Sequence, residues 1–286
     1  MKTKFPSTLL LAFVILMFLS FKSNTGKTEF SGIKGFVVIP ATNYYFNLDT
    51  VNSSKIILKS FQISETEVTN KQYNEFLADL VKQGRMNDLK IAYPDTMNWK
   101  SEKYDLNVYV SFYHSSKATE DYPVVNISFE AANLYCEWLR LKYIKSGLIS
   151  ENMRFRLPTR EEWEYVAFFN PGNNFIPYLF NLNDKNGKQS CNYRKVDQES
   201  IFYNLETQKA EVHIGDNRSL LGIPPQPLRV KSFSPNDFGL YDIFGNVAEM
   251  ISTKSIAMGG GSRFAKWLFD YRSSRQSPAW YGGSTG

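Results

Sequence analysis

The sequence predicts a single α+β domain with few helices, short strands and long irregular loops. Three segments place apolar residues at helical spacing behind a capping signal, and two segments near the N-terminus have strand character. Residues 168–235, by contrast, are rich in Asn, Asp, Gly and Pro. A loop of that length argues against a simple layered fold and favours an interior wound from irregular segments. No linker composition divides the chain, so residues 30–286 are predicted to form one domain.

The strand signals lie between Gly35 and Ser64. The segment GFVVIPATNYYFNLD, residues 35–49, alternates like an edge strand that leads into a turn. The segment IILKSFQIS, residues 56–64, predicts a second strand.

The first predicted helix begins at a capping box. Thr69 and Gln72 are three residues apart, so each side chain can bond to the backbone N–H of the other. Gly84 is predicted to end the helix, because glycine readily adopts the left-handed conformation of a helix C-terminus. The residues predicted to face the core are Tyr73, Phe76, Leu77, Leu80 and Val81.

Two further helices follow, each with its own cap. Ser128 is the predicted N-cap of the second helix, and Thr159 with Glu162 forms a capping box at the third. Residues 85–125, between the first and second helices, are predicted to be irregular. The core-facing residues are Ala131, Leu134, Tyr135, Trp138 and Leu139 in the second helix, and Trp163, Val166 and Ala167 in the third.

Composition and charge exclude some classes of partner. Hydrophobic residues make up 43% and aromatic residues 15% of the chain, which is enough for a packed core. The net charge is +5. Three of the positive charges, on Lys2, Lys4 and Lys22, flank an apolar N-terminal run and do not belong to the predicted domain. The remaining charges are mixed in sign, as on an ordinary solvated surface. Nothing in the charge pattern indicates a nucleic-acid partner.

The N-terminal segment predicts export. A basic start precedes an apolar run from Leu9 to Phe21, which is the pattern of a secretory signal. Residues 1–26 are therefore predicted to be a signal peptide or, if uncleaved, an N-terminal membrane anchor. No cysteine stands directly after the run, which argues against a lipid anchor. The expected location is the periplasm or cell envelope, with membrane contact through this segment alone.

The chain has two cysteines and two histidines. Cys136 lies on the apolar stripe of the second predicted helix and is interpreted as a small core residue, whereas Cys191 lies in the polar segment SCNYRK. The sequence leaves open whether these two cysteines form a disulfide. His114 and His213 are isolated and show no ligand spacing, so both are interpreted as solvated loop histidines.

Five sequence blocks, in order, resemble the formylglycine-generating enzyme family, also called the sulfatase-modifying-factor domain. The blocks are ISETEVTNKQYNEFL (63–77), YPVVNISFEAANLYCEWL (122–139), RFRLPTREEWEYVA (154–167), FSPNDFGLYDIFGNVAEM (233–250) and GGGS (259–262). The resemblance implies a variant of the C-type-lectin-like fold. The segment PDTMNWKSEKYDLN (94–107) also resembles a subgroup found in gliding-motility and type IX secretion proteins, which implies an envelope protein or peptide partner.

The resemblance also implies which catalytic groups are missing. The family's oxidases bind copper through a cysteine pair after the GGS block, and soft thiolates are the ligands that Cu(I) requires. Here Ala265 stands where the first cysteine is expected, and no cysteine follows it. Ala248 replaces the usual tryptophan near the oxygen pocket. We therefore expect no copper and a non-catalytic binding or scaffold role. The alternative is a formylglycine-generating-type oxidase or a related metal-dependent oxidoreductase that acts on a protein or peptide substrate.

The segment LYDIFGNVAEM contains donors for a structural calcium ion. Asp242 and Glu249 supply carboxylate oxygens, and the carbonyl oxygens of Gly245 and Val247 can add to them. The resemblance implies calcium at these four positions; a plain turn with a solvated glutamate is the alternative. It also implies a second site that involves Asn192 and Asp216. Asn246, in the same segment, is interpreted as bonding local backbone groups.

The C-terminal segment predicts a ligand-binding surface. It is rich in aromatic and basic side chains, which are typical of binding hot spots. We expect it to contact a peptide or a glycan, although Trp267 and Phe269 could equally be core residues. The predicted ligand-binding residues are Ser262, Arg263, Trp267 and Arg272.

Overall fold

Four short strands near the N-terminus pair as one hairpin nested inside another. In a computed structural model, β1 (Phe36–Ile39) pairs antiparallel with β4 (Phe61–Ser64), and β2 (Thr42–Phe46) pairs antiparallel with β3 (Ser54–Leu58). The stretch predicted as one strand over residues 56–64 is thus divided between two two-stranded sheets. The break falls at Lys59 and Ser60, where the Ser60 hydroxyl donates to the Ile39 carbonyl (3.0 Å).

The structure describes residues 32–46, 54–100, 106–174, 190–192, 198–204, 208–215 and 226–260. These residues belong to one compact unit, Gly32–Gly286, whereas residues 1–31 form a separate unit. The predicted signal or anchor segment lies outside the described residues. Within the described residues, no helix has both the length and the apolarity to cross a membrane.

The first helix, α1 (Asn70–Lys82), has the predicted capping box. Thr69 Oγ1 accepts from the Gln72 backbone N–H (3.2 Å), and Gln72 Oε1 accepts from the Thr69 backbone N–H (2.9 Å). Gly84 follows the helix with a φ of 68°. Leu80 is fully buried, but Val81 is 54% exposed, so the prediction for Val81 was wrong. Val81 lies about 100° further round the helix than Leu80, outside the packed stripe.

The fourth helix, α4 (Phe129–Lys145), packs against α1 through aromatic rings. Ser128 Oγ accepts from the Ala131 backbone N–H (3.0 Å), which confirms the predicted N-cap. Phe76 on α1 contacts the rings of Tyr135 and Trp138, with centroids 5.6 and 5.5 Å away. The indole N–H of Trp138 donates to Asp79 Oδ2 (3.0 Å), so this large side chain is both buried and hydrogen-bonded.

The segment predicted to be irregular, residues 85–125, contains two short helices. These are α2 (Met86–Ala92) and α3 (Asn107–Phe112), with 3₁₀ turns at Thr96–Trp99 and Lys117–Thr119. Neither Arg85 nor Leu106, their N-cap residues, makes a side-chain capping bond. The sequence signal for a helix start is therefore absent, and tertiary packing fixes both helices.

The fifth helix, α5 (Arg160–Phe168), carries the second predicted capping box and enters the largest core cluster. Thr159 Oγ1 accepts from the Glu162 backbone N–H (3.2 Å), and Glu162 Oε2 accepts from the Thr159 backbone N–H (2.8 Å). Arg156 binds the Glu162 carboxylate with two bonds of 2.7 and 2.6 Å. The cluster is formed by Ile39, Tyr44, Leu58, Trp163, Tyr165, Val166, Phe168, Phe169, Cys191, Leu240, Ile243, Phe244, Ile251 and Met258.

The long loop predicted over residues 168–235 contains a hairpin. Strands β5 (Gln198–Asn204) and β6 (Lys209–Gly215) pair antiparallel along their full length. The connection reads LETQ, without the Asn-Gly or Asp-Gly pair that marks a tight hairpin turn in a sequence. Two further short strands, β7 (Glu249–Met250) and β8 (Ala257–Met258), pair antiparallel beside Trp163.

The pair Leu80 and Val81 tests the core assignment of α1. Leu80→Ala is expected to lower the free energy of unfolding by about 2–5 kcal/mol, because it opens a cavity in a closed cluster. Val81→Ala is expected to change it by no more than about 0.5 kcal/mol. Urea denaturation of both variants measures this difference, and equal losses would contradict the packing described for α1.

Candidate functional site

The segment that joins Leu240 to β7 is wound by three residues with positive φ. Asp242, Gly245 and Asn246 have φ values of 53°, 77° and 52°. Asp and Asn tolerate this left-handed region better than most residues, and glycine has no penalty there. The Gly245 N–H donates to the Gly259 carbonyl (2.8 Å), which fixes the turn against the strand that follows β7. We call residues 240–249 the acidic loop.

Gly245 is also required by close packing. A Cβ atom at this position would lie 2.4 Å from the carbonyl oxygen of Asn192, a distance that no side chain can adopt. The Asn192 carbonyl instead accepts the next backbone N–H, that of Asn246 (2.8 Å). The acidic loop therefore lies directly on the backbone of residues 190–192.

Asn246 joins the acidic loop to three distant segments. Its Nδ2 donates to Glu67 Oε1 (2.9 Å), and its Oδ1 accepts from the Leu228 backbone N–H (2.7 Å) and from Asn192 Nδ2 (3.0 Å). The side chain is 1% exposed. Asn246 was interpreted as bonding local backbone groups. It does bond backbone, at Leu228, but its partners are 18 to 179 residues away in sequence and so are not local.

Three carboxylates lie close enough in this region to repel one another. Trp163 Nε1 donates to Glu249 Oε2 (2.6 Å), and the Lys231 backbone N–H donates to Asp242 Oδ2 (2.8 Å). Asp242 Oδ1 and Glu67 Oε2 are shielded from solvent and have no hydrogen-bond partner. A buried oxygen without a partner is unfavourable by about 1–3 kcal/mol, and a charged one by more.

Burial raises the pKa of all three carboxyl groups. The pKa of Asp242 rises to about 6, even though two backbone N–H groups favour its charged form. The pKa of Glu249 rises to about 7 through burial and, to a smaller extent, through the negative charge of Asp242; the bond from Trp163 opposes the rise. Burial and then the charges of Asp242 and Glu249 raise the pKa of Glu67 well above its ordinary value.

These properties are compatible with a cation at the acidic loop. A partner-free carboxylate oxygen and carboxyl groups destabilised by burial are both relieved by a positive charge. Among the described residues, no three His, Cys, Asp or Glu side chains are arranged as a metal cluster. The predicted set has two carboxylates, so it depends on the carbonyl oxygens of Gly245 and Val247 for the rest of a shell.

The second predicted metal site involves Asn192 and Asp216, and the structure describes only the first of these two residues. Asn192, assigned to a second site, adjoins the acidic loop, and its Nδ2 already donates to the Gln226 carbonyl (2.8 Å) and to Asn246. Asp216 lies outside the described residues. Glu67, which the sequence analysis missed, belongs to this neighbourhood. Its sequence signal is an acidic residue two positions before the N-cap of α1, where exposure would normally be expected.

The structure describes the side chains of both cysteines and of His114, whereas the side chain of His213 lies outside the described part. No disulfide joins Cys136 and Cys191. Burial raises the pKa of Cys136 to about 11 and that of Cys191 further, so both thiols stay protonated at neutral pH. His114, predicted to be solvated, is instead largely buried. Burial lowers its pKa to about 4, and its Nδ1 lies 3.2 Å from Asn70 Oδ1.

The predicted ligand-binding residues Ser262, Arg263, Trp267 and Arg272 lie outside the described residues. The described chain ends at Gly260, directly after β8, so it reaches only the start of the GGGS block. The peptide- or glycan-binding surface therefore stays a prediction.

The protein belongs to the α+β class and has a C-type-lectin-like fold. It combines short strands, few helices and irregular segments around a loop whose residues have positive φ. The family model of the sulfatase-modifying factor enzyme 1-like domain, a description of its sequences, matches residues 22–266. The chain belongs to this family, which confirms the predicted relation to formylglycine-generating enzymes.

The relatives differ in how much of their length they share with this chain. The chain is 27% identical over 245 residues to the bovine (Bos taurus) protein named inactive C-alpha-formylglycine-generating enzyme 2. That alignment covers 75% of this chain and 67% of the bovine protein. The mouse (Mus musculus) protein of that name is 30% identical over 157 residues, covering 51% of this chain and 38% of that protein. PvdO from Pseudomonas aeruginosa has the same fold, with a TM-score of 0.50, 19% identity, and coverage of 86% and 89%.

Substitution of Gly245 tests the close contact beneath the acidic loop. Gly245→Ala is expected to lower the free energy of unfolding by about 3 kcal/mol, through left-handed strain and the clash with Asn192. Gly84→Ala is the matched control, because Gly84 has a similar φ of 68° but open space around it. The control is expected to lose only about 1 kcal/mol. Thermal and chemical denaturation give both values, and losses of equal size would argue against the contact.

Proposed function

We propose that this protein is an exported, non-catalytic member of its family that serves as a binding or scaffold component of the cell envelope. The observation that carries the proposal is the loss of the cysteine pair after the GGGS block, where Ala265 stands and no cysteine follows. Copper-dependent activation of oxygen needs thiolate ligands, and a chain without them at this block lacks the family's oxidising centre.

The two remaining cysteines are poor substitutes. A thiolate is the form that binds soft metals, and a pKa of about 11 keeps Cys136 protonated. Cys191 packs into the core cluster around Trp163, where it is 2% exposed. Apolar burial of this kind favours an inert structural cysteine over a reactive one.

The named relatives support the same interpretation. Both mammalian proteins are called inactive formylglycine-generating enzymes. The chain spans about two thirds of the bovine protein and 38% of the mouse protein, so their properties as whole proteins come to this chain only as part of the proposal.

The proposal includes calcium as a structural ion at the acidic loop. Asp242 and Glu249 would bind it through carboxylate oxygens, and Gly245 and Val247 through backbone carbonyls. The partner-free Asp242 Oδ1 and the raised pKa values of both carboxyl groups support a cation there. Calcium, when bound, supplies charge neutralisation, which would stabilise the loop that Asn246 ties to the rest of the domain.

Export and partners complete the proposal. The N-terminal apolar run supports secretion, with a cleaved signal or a retained anchor. The resemblance of residues 94–107 to gliding-motility and type IX secretion proteins supports an envelope protein or peptide as partner. The aromatic and basic side chains of the C-terminal segment, including Arg263 and Trp267, would form the contact surface.

An oxidation assay separates this proposal from the enzymatic alternative. The purified protein is incubated with Cu²⁺, oxygen, a thiol reductant and a sulfatase-type Cys-x-Pro-x-Arg peptide, and mass spectrometry follows the peptide. We expect no conversion of the peptide cysteine to an aldehyde, beside full conversion by an active family member. Conversion by the wild-type chain that is lost in the Cys136→Ser, Cys191→Ala double variant would show that these thiols substitute for the missing pair. Any conversion above background overturns the non-catalytic role.

Calcium binding is tested by thermal unfolding in EDTA and in Ca²⁺. Binding at a hundredfold excess over Kd adds about 2.7 kcal/mol, which raises Tm by about 5–10 °C in a domain of this size. Asp242→Asn keeps the size and the left-handed tolerance of the side chain but removes its charge, so the Ca²⁺-dependent shift is expected to shrink to near zero. Asp237→Asn is the matched control, because Asp237 is an exposed acid three residues before the acidic loop. This variant should behave as wild type. A shift that Asp242→Asn retains would place calcium elsewhere.

A further inference from the structure

A cavity of about 360 Å³ lies where the end of α2 and the following 3₁₀ turn meet the start of α4. Its lining comprises one carboxylate, two side-chain amides, one hydroxyl, one aromatic ring and one aliphatic side chain. The lining residues are Ile91, Tyr93, Asp95, Asn98, Asn126 and Ser128. The volume falls within the range of small-ligand sites.

The walls of the cavity are fixed by hydrogen bonds. The Asp95 backbone N–H donates to the Asn126 carbonyl (2.8 Å), so the two walls are joined directly. Asp95 Oδ1 accepts from the Met97 backbone N–H (3.1 Å), and Ser128 Oγ caps α4. These side chains therefore have set positions before any ligand arrives, which lowers the entropic cost of binding.

Asn126 is the feature of the lining that most needs an explanation. It is 7% exposed, its φ is 59°, and neither its Nδ2 nor its Oδ1 has a hydrogen-bond partner. Each unpaired polar atom is unfavourable by about 1–3 kcal/mol. Native proteins leave few such groups, and a bound molecule is one of the usual reasons for those that remain. Asn126 is one of the residues that line the cavity.

The chemistry of the lining defines the ligand. Asp95 accepts hydrogen bonds, the amides of Asn98 and Asn126 both donate and accept, and the Ser128 hydroxyl does the same. No cationic side chain belongs to the lining, and Asp95 repels anions. The Tyr93 ring is 63% exposed at the rim and offers an apolar face. The lining therefore disfavours an anion and fits a ligand that carries several donors and acceptors on one edge and has an apolar face.

From this combination we propose that the cavity binds an uncharged saccharide of one or two rings. Vicinal hydroxyls each donate and accept, so one sugar ring can satisfy the carboxylate and the amides together. Its C–H face would pack on the Tyr93 ring. A peptide offers only one donor and one acceptor per residue, and successive residues of an extended chain present them to alternate sides, so a peptide matches this cluster less well. The inference goes beyond the proposed scaffold role and does not depend on it.

Titration of the full ¹⁵N-labelled protein with maltose, cellobiose and N,N′-diacetylchitobiose tests the proposal by NMR. At least one is expected to shift the resonances of residues 95, 98 and 126 in a saturable way, with a Kd of about 1 mM or tighter. Tyr93→Ala and Asp95→Asn are expected to weaken that binding at least tenfold. Tyr93 is exposed, and Asn at position 95 keeps the acceptor for Met97, so both variants should fold. Asn87→Ala, an exposed amide on α2 outside the lining, is the matched control and should bind as wild type.

Three results would overturn the proposal. The first is the absence of shifts at these residues with all three disaccharides up to about 10 mM. The second is saccharide binding that both Tyr93→Ala and Asp95→Asn leave unchanged. The third is tighter binding at the same resonances by N-acetyl-trialanine amide, which would assign the cavity to peptides. None of these results bears on calcium binding or on oxidase activity.

Discussion

The buried side-chain amide of Asn246 is the interaction on which the centre of this domain depends. Its bonds reach the segment before α1 at Glu67, the segment of Asn192 and the segment of Leu228. None of these segments is a regular strand or helix, so no backbone ladder holds them together. The sheets found among the described residues have two strands each, so side-chain to backbone bonds take over the role that a continuous sheet has elsewhere. The left-handed turn at Gly245 and Asn246 exists because it presents this amide to all three.

The residues of the acidic loop have structural roles within the described part of the chain. They serve packing, turn geometry and charge. The indole of Trp163, the amide of Asn246 and backbone N–H groups offset part of the unfavourable burial of Glu67, Asp242 and Glu249. Residues with such structural roles are by themselves no evidence of catalysis.

The sequence predicted those features that local chemistry determines. The capping boxes of Thr69 and Thr159, the cap of Ser128 and the core positions of Trp138 and Trp163 depend on residues within one or two turns, and all are found as expected. The helices α2 and α3 lack capping side chains, and the break at Ser60 depends on the Ile39 carbonyl, so neither was visible locally. The acidic residues of the loop could be chosen from sequence, but the contribution of Glu67 could not, because its partner Asn246 is 179 residues away.

The distance in sequence between Glu67 and Asn246 has a consequence for how the chain folds. The cluster between α1 and α4 joins residues about sixty positions apart and is complete in sequence before the acidic loop is synthesised. The bond between Glu67 and Asn246 closes a loop of 179 residues, which is entropically less favourable than closing the shorter loop between α1 and α4. We therefore expect the helical part to form first, while the carboxyl group of Glu67 is still hydrated. Dehydration of that group is a late event, and a chain that stalls before it exposes the apolar surface around Trp163 to aggregation.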